Sequence, residues 1–172
     1  MNAWYSRTGR SMLALALAAT VIVCTTAVAL ADHSRDSPAR PKRDPAHKRI
    51  EINLSLQQLI AWDGDEAVFE FPVTTGQEDQ PTITGEFEIL DKEAEAYSEP
   101  WMLNMPFWMG IYQLGDYEDG IHALPTDGDG VEYWRDAVGH YPASHGCVVL
   151  RPEDAEALFQ WAAVGIPVEI HD

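Results

Sequence analysis

Ser144-His145-Gly146-Cys147 is the stretch of this 172-residue chain best equipped for covalent chemistry. A cysteine attacks a carbonyl as the thiolate, so it needs a base to take its proton or a positive field to hold the anion. Three histidines, His122, His140 and His145, lie within reach in sequence; His33, His47 and His171 fall near the ends of the chain. His145 and Cys147 are two positions apart, which on an extended strand puts both side chains on one face. Gly146 between them leaves room for a substrate, and its N–H with that of Cys147 could face a developing oxyanion. His122 sits 25 positions before Cys147 in "GIHALP" and is the natural base from a neighbouring strand.

The same residues support two other readings. His122, His140, His145 and Cys147 could furnish four zinc-type ligands, although neither CxxC nor HExxH spacing is present. Alternatively Cys147 is an inert buried thiol and the histidines are unrelated to it. From residue types and spacing alone, all three stand.

Location sharpens the question. Residues 1–31 contain no Asp or Glu, Arg7 and Arg10 precede an uncharged apolar run over 12–31, and Ala29-Leu30-Ala31 closes it. This is an export signal with cleavage before Asp32, or an uncleaved membrane anchor of the same residues. Cys24 is a poorer lipidation site because Val23 before it is large. Each version carries the remainder out of the cytoplasm. Residues 32–49, with three prolines and six Lys or Arg, form a solvated tether. With the signal removed, Cys147 has no disulfide partner, and a lone thiol in an exported protein requires an explanation.

Residues 50–172 suffice for one domain. Only three of the 28 acidic residues, but eight of the 11 basic ones, precede Ile50, so this part carries 25 carboxylates against three cations. Nucleic acid would be repelled by such a surface. Alternation predicts a strand at "IEINL", a turn at Asp63-Gly64-Asp65, a returning strand at "AVFEFPV" and another in "ITGEFEIL". "DKEAEAYSEP" reads as a polar loop. "WMLNMPFWMGIYQLG" contains strand material around 107–112, with Tyr112 and other aromatics available to a substrate groove. One helix begins at Pro152, has Glu153 and Asp154 in its first turn, and places Gly165 at its C′ position. "IPVEI" closes the chain as a strand. The fold is therefore mainly β, a sandwich of mixed strands with one helix after the cysteine.

Taken in this order, "IEINLSLQQLIAW", "FEFPVTTG", "PTITGEFEI", "IH" and "SHGCVVL" resemble the L,D-transpeptidase (YkuD-like) catalytic domain over residues 50–172. The resemblance implies a cell-envelope enzyme forming a thioester with peptidoglycan stem peptides and passing it to an amine. Water as acceptor would make it a carboxypeptidase, and a non-catalytic wall-binding module of the same fold is the other alternative. By position, Cys147 would be the nucleophile and His122 its base, oriented by the Ala123 carbonyl, while His145 and Gly146 shape the oxyanion hole. Ser144, Arg151, Tyr112 and Trp134 are the substrate-contact candidates. No cofactor, metal or nucleic acid is implied, and a monomer is expected, with membrane contact confined to residues 12–31. The chain departs from the family at Ala123, where Gly or Ser is common, and in a longer interval read as a surface loop around 127–135. It also departs at Val149, where Arg or Asn is frequent; Arg151 could substitute for the missing polar group.

Overall fold

The computed structural model describes residues 47–172. The expected export segment and most of the expected tether therefore lie outside the described residues. Nine strands and one helix follow in order: β1 (Lys48–Asn53), β2 (Gln58–Asp63), β3 (Glu66–Pro72), β4 (Gly85–Glu88), β5 (Asp91–Ser98), β6 (Leu103–Leu114), β7 (Tyr117–Ala123), β8 (Val148–Leu150), α1 (Pro152–Trp161) and β9 (Pro167–His171). They form a five-stranded sheet, β3-β2-β1-β9-β4, and a four-stranded sheet, β5-β6-β7-β8. β1 pairs with β9 and β7 with β8 in parallel; the other ladders are antiparallel. The mixed-strand sandwich expected from the sequence is the observed fold.

Alternation explains the core. Ile50 and Ile52 of β1, Leu59 and Ala61 of β2, and Val168 and Ile170 of β9 turn inward from one sheet. Met109, Ile111, Ile121, Val148 and Leu150 meet them from the other, and Ala155 and Leu158 of α1 join the same buried cluster. Burying each of the Val, Leu, Ile and Met side chains among them contributes roughly 1.5–3 kcal/mol.

The structure corrects four details. β1 starts at Lys48, two residues ahead of Ile50. The polar segment "DKEAEAYS" is strand β5, not a loop. It is an edge strand pairing only with β6, and its exposed glutamates, Glu93 and Glu95, discourage pairing with another chain. β6 runs for 12 residues through Pro106. Pro106 lies before Met109, where the β7 ladder begins, so the missing N–H interrupts no continuous ladder on that side.

The fourth correction concerns the helix end. α1 stops at Trp161 with Ala162 extended as its cap, and Gly165 lies beyond the C′ position, in the turn into β9. Its last turn contains no basic residue, yet its carbonyls are not left bare. Lys92 Nζ, from β5, donates to the carbonyls of Phe159 at 2.5 Å and Ala162 at 2.6 Å, lying over the Phe159 ring. Lys48 Nζ, from β1, donates to Trp161 O at 2.8 Å. A lysine from each sheet thus meets the negative end of the helix, tying both sheets to it. Lys92→Met keeps the apolar stem on Phe159 and removes the charge. It is expected to lower unfolding free energy by about 1.5–3 kcal/mol, the range for hydrogen bonds involving a charged group, as read by urea unfolding.

Candidate active site

Two elements far apart in sequence build the site. β7 and β8 pair Ile121 with Val148, His122 with Val149 and Ala123 with Leu150. β8 is buried at all three residues and bridges on its other side to Thr74, through Thr74 N–H to Val149 O and Val149 N–H to Thr74 O. Cys147 stands immediately before this clamped segment, and His122 lies on the adjoining strand.

The turn carrying the thiol is held from several directions. Gly146 has φ +127°, a conformation glycine adopts without the penalty of a Cβ. Ser144 Oγ donates to Cys147 O at 2.5 Å, and Thr82 Oγ1 donates to Gly146 O at 2.6 Å. Thr82 Oγ1 also accepts the Gly76 N–H at 2.8 Å. Residues 144–147 are therefore not the extended strand expected from the sequence, which begins only at Val148. His145 and Cys147 nevertheless both reach one cavity.

That cavity has a volume of about 500 Å³. His122, His145, Cys147 and Trp134 line it, with Trp101, Met105, Leu114 and Tyr117 making an apolar and aromatic wall. Glu118 and Asp119 are its carboxylates, and among the described residues no lysine or arginine lines it. His145 stacks on Trp101 with ring centres 3.8 Å apart and meets Trp134 edge-on at 5.3 Å. Trp134 reaches this position from the loop after β7, where it adopts φ +64°.

His122 is only 2% exposed. Its Nδ1 lies 2.6 Å from Ala123 O; a carbonyl can only accept, so Nδ1 carries the hydrogen and Nε2 keeps its lone pair. Burial lowers the His122 pKa to about 4, with the Ala123 bond pulling the other way. Burial also pushes the Cys147 thiol well above its ordinary value, and the nearby Asp119 charge adds to this. The resting pair is thus neutral thiol and neutral imidazole rather than an ion pair. Cys147 Sγ donates to Asp119 Oδ1 at 3.4 Å.

The other sequence candidates separate. Ala123 places its carbonyl on His122. The Gly146 N–H turns to Ser144 Oγ at 3.3 Å rather than standing free for an oxyanion. Ser144 is fully buried and supports the turn without lining the cavity. Tyr112 lies outside the cavity lining: its hydroxyl accepts the Ile83 N–H at 3.2 Å and neighbours Asp119, while its ring packs on Phe87. Arg151 precedes α1 as its N-cap residue and is not among the lining residues. Val149 is wholly buried in a small apolar cluster with Leu124 and Val138, against which the cavity-lining Trp134 and Cys147 also pack, and it does not itself line the cavity. Tyr133 donates to Asp127 Oδ2 and holds the loop at 127–135. His140 is exposed, and among the described residues no three His, Cys, Asp or Glu side chains gather as metal ligands.

Asp119 and Thr82 escape a sequence reading. Asp119 is one of several acids in "GDYEDG", which resembles an ordinary solvated turn. Thr82 is one of several hydroxyls in a polar stretch, and its two partners lie six and 64 residues away.

A sequence profile described as the L,D-transpeptidase catalytic domain matches residues 47–170. L,D-transpeptidase 1 of Mycobacterium tuberculosis is 24% identical over 136 residues, covering 69% of this chain and 48% of that protein. The chain thus spans about half the length of the curated relatives it matches. An L,D-transpeptidase structure from Mycobacterium smegmatis superposes with a TM-score of 0.63 at 17% identity, covering 73% of this chain and 59% of its own. One from Stackebrandtia nassauensis gives 0.58 at 24%, covering 73% and 56%. These superpositions describe the fold.

The buried imidazole makes stability depend on pH. An unfolded histidine titrates near 6.5, whereas folded His122 titrates near 4. Between these values the unfolded chain binds a proton that the folded chain does not. Its contribution is complete above about pH 6.5 and falls by about 1.4 kcal/mol per pH unit down to pH 4. The expected loss, on the order of 3 kcal/mol, is read from urea unfolding between pH 7 and 4. His122→Gln should remove that part of the slope.

Proposed function

The chain belongs to the L,D-transpeptidase catalytic domain family, and on that premise we propose that it is a cysteine acyltransferase of the bacterial cell envelope acting on peptidoglycan stem peptides. The observation carrying this reading is that Cys147 and His122, on adjoining parallel-paired segments, line one cavity, with the Nδ1–H of His122 engaged by Ala123 O. That bond leaves Nε2 as the imidazole's acceptor for a proton.

In the proposed reaction the Cys147 proton passes to His122 Nε2 as Sγ attacks the carbonyl carbon of an L-centre in the donor stem. The carbonyl electron pair moves to oxygen, where we assign the Cys147 N–H and His145 as stabilising neighbours. Collapse of this intermediate breaks the C–N bond to the terminal D-alanine, and His122 returns the proton to the departing amine. A thioester remains on Sγ. The amine of a second stem attacks that thioester, forms a new amide and releases the thiol. The apolar and aromatic wall suits an extended peptide, and Trp134 is the sequence candidate among the substrate contacts that lies at this wall. Gly146 acts through the turn it permits. Tyr112 and Ser144 act behind the cavity surface, and no substrate contact is assigned to Arg151.

The resting pair is neutral, so proton transfer must accompany attack, which makes the base indispensable. Cys147→Ala should retain the fold and lose acyl transfer by roughly 10⁴-fold or more, the scale seen on removal of a nucleophile. His122→Gln should lose about 10²–10⁴-fold, the usual contribution of a general base. Intact mass after incubation with disaccharide-tetrapeptide checks both through an adduct lacking one alanine. A Cys147→Ala protein that still forms the adduct would refute the assignment. Release of tripeptide without a cross-linked product would identify water as the acceptor.

A further inference from the structure

We propose that Asp119 is a positioning residue that clamps the Cys147 thiol in its protonated form and so sets how readily the thiolate appears. The functional importance of the clamp rests on Cys147 being the nucleophile. Its physical basis does not.

The contact is built into the fold. The β7–β8 register pairs Ile121 with Val148; extended one step, it brings Gly120 beside Cys147, and a second step brings Asp119 beside Gly146. The sulfur accordingly donates to Asp119 Oδ1 at 3.4 Å and lies within reach of the Gly120 N–H. A Cβ on Gly146 would stand 2.6 Å from Asp119 Oδ2, so glycine is what lets the carboxylate settle against this turn. The Tyr112 hydroxyl, held by the Ile83 N–H and with its ring on Phe87, neighbours the carboxylate. Asp119 is therefore a partly buried acceptor facing the thiol.

This acceptor favours the thiol over the thiolate. While the proton is present, Sγ–H meets a carboxylate oxygen. If the proton leaves to another base, two negative charges face each other in a half-buried site, which disfavours ionisation. The surroundings offer little relief. From β7 come Glu118, a further carboxylate, and His122, held neutral by burial; β6 brings Tyr112, and the turn itself brings His145, whose burial also favours its neutral form. The Gly120 N–H is the opposing influence, and among the described residues no lysine or arginine lines the cavity. For a thiol facing an open cavity, the clamp limits oxidation, because oxidants act on the thiolate.

A small neutral electrophile tests this without any peptide substrate. The rate of Cys147 alkylation by iodoacetamide is measured against pH on the intact chain, read at the Cys147 peptide so that Cys24 does not contribute. Asp119→Asn keeps the shape and an acceptor oxygen but removes the charge. Its midpoint should fall by about one pH unit or more, a tenfold gain in thiolate at fixed lower pH. Because nucleophilicity falls with basicity, the net rate gain at pH 7.5 should be roughly threefold. Asp119→Ser, should the first variant fold poorly, is expected to shift in the same direction. Glu118→Gln removes an equal charge that does not touch sulfur and should move the midpoint less. An unchanged or higher midpoint in the Asp119 variants would overturn the clamp. So would an equal shift in Glu118→Gln, which would reduce the effect to general cavity charge. Failure of Cys147 to form a thioester with stem peptide would leave this measurement unaffected, so the two assignments fail separately.

Discussion

Three residues of main chain, Val148–Leu150, are the constraint on which the site depends. They pair with β7 on one side and with Thr74 on the other, and their side chains are all buried. Val148 and Leu150 enter the core between the sheets, while Val149 points the other way into a small cluster with Leu124 and Val138. A slip of one residue would exchange these faces and put every side chain in the wrong cluster. The register is therefore strongly specified, and with it the positions of Cys147 and His122. Hydrogen bonds from Ser144, Thr82 and Gly76 then fix the turn that enters this strand.

Electrostatics within the site follow from burial more than from pairing. The His122 imidazole and the Cys147 thiol are both kept neutral by removal from water, and the nearest charge to the sulfur is a carboxylate. The scarce cations work elsewhere. Lys48 and Lys92 satisfy carbonyls at the end of α1, and Arg49 donates to Gly64 O while lying over Trp62. Arg135 pairs with Glu132 in the outer loop. An acidic domain thus places these cations at backbone ends and loop contacts, leaving the cavity walled by aromatics, histidines and two carboxylates.

Much of this was legible in the chain. Alternation in "IEINL" and "AVFEFPV" marked strands whose inward faces do form the core. The "IH" and "SHGC" segments marked the two groups that the fold brings to one cavity. Errors arose where composition substitutes for context. β5 looks like a loop because an edge strand needs backbone partners on one side only and can carry charge outward. Gly165 looks like the C′ residue of the helix, whereas α1 ends at Trp161 and lysines from two other strands cap the carbonyls there.

By itself, then, the sequence marked most of the strands, the late helix, Cys147 and His122 as candidates for one site, and the resemblance to the family. These are properties of local periodicity and of motifs whose residues carry their chemistry with them. Tertiary structure alone decided that Val149 faces an apolar cluster, that Gly146 turns its N–H to Ser144, and that Tyr112 and Thr82 support the site from behind. It also decided that Asp119, 28 residues before Cys147, is the partner of the thiol. Each depends on the register between segments that meet only in the folded chain. No residue announces its cross-strand neighbour, because that neighbour is chosen by which faces the core can bury.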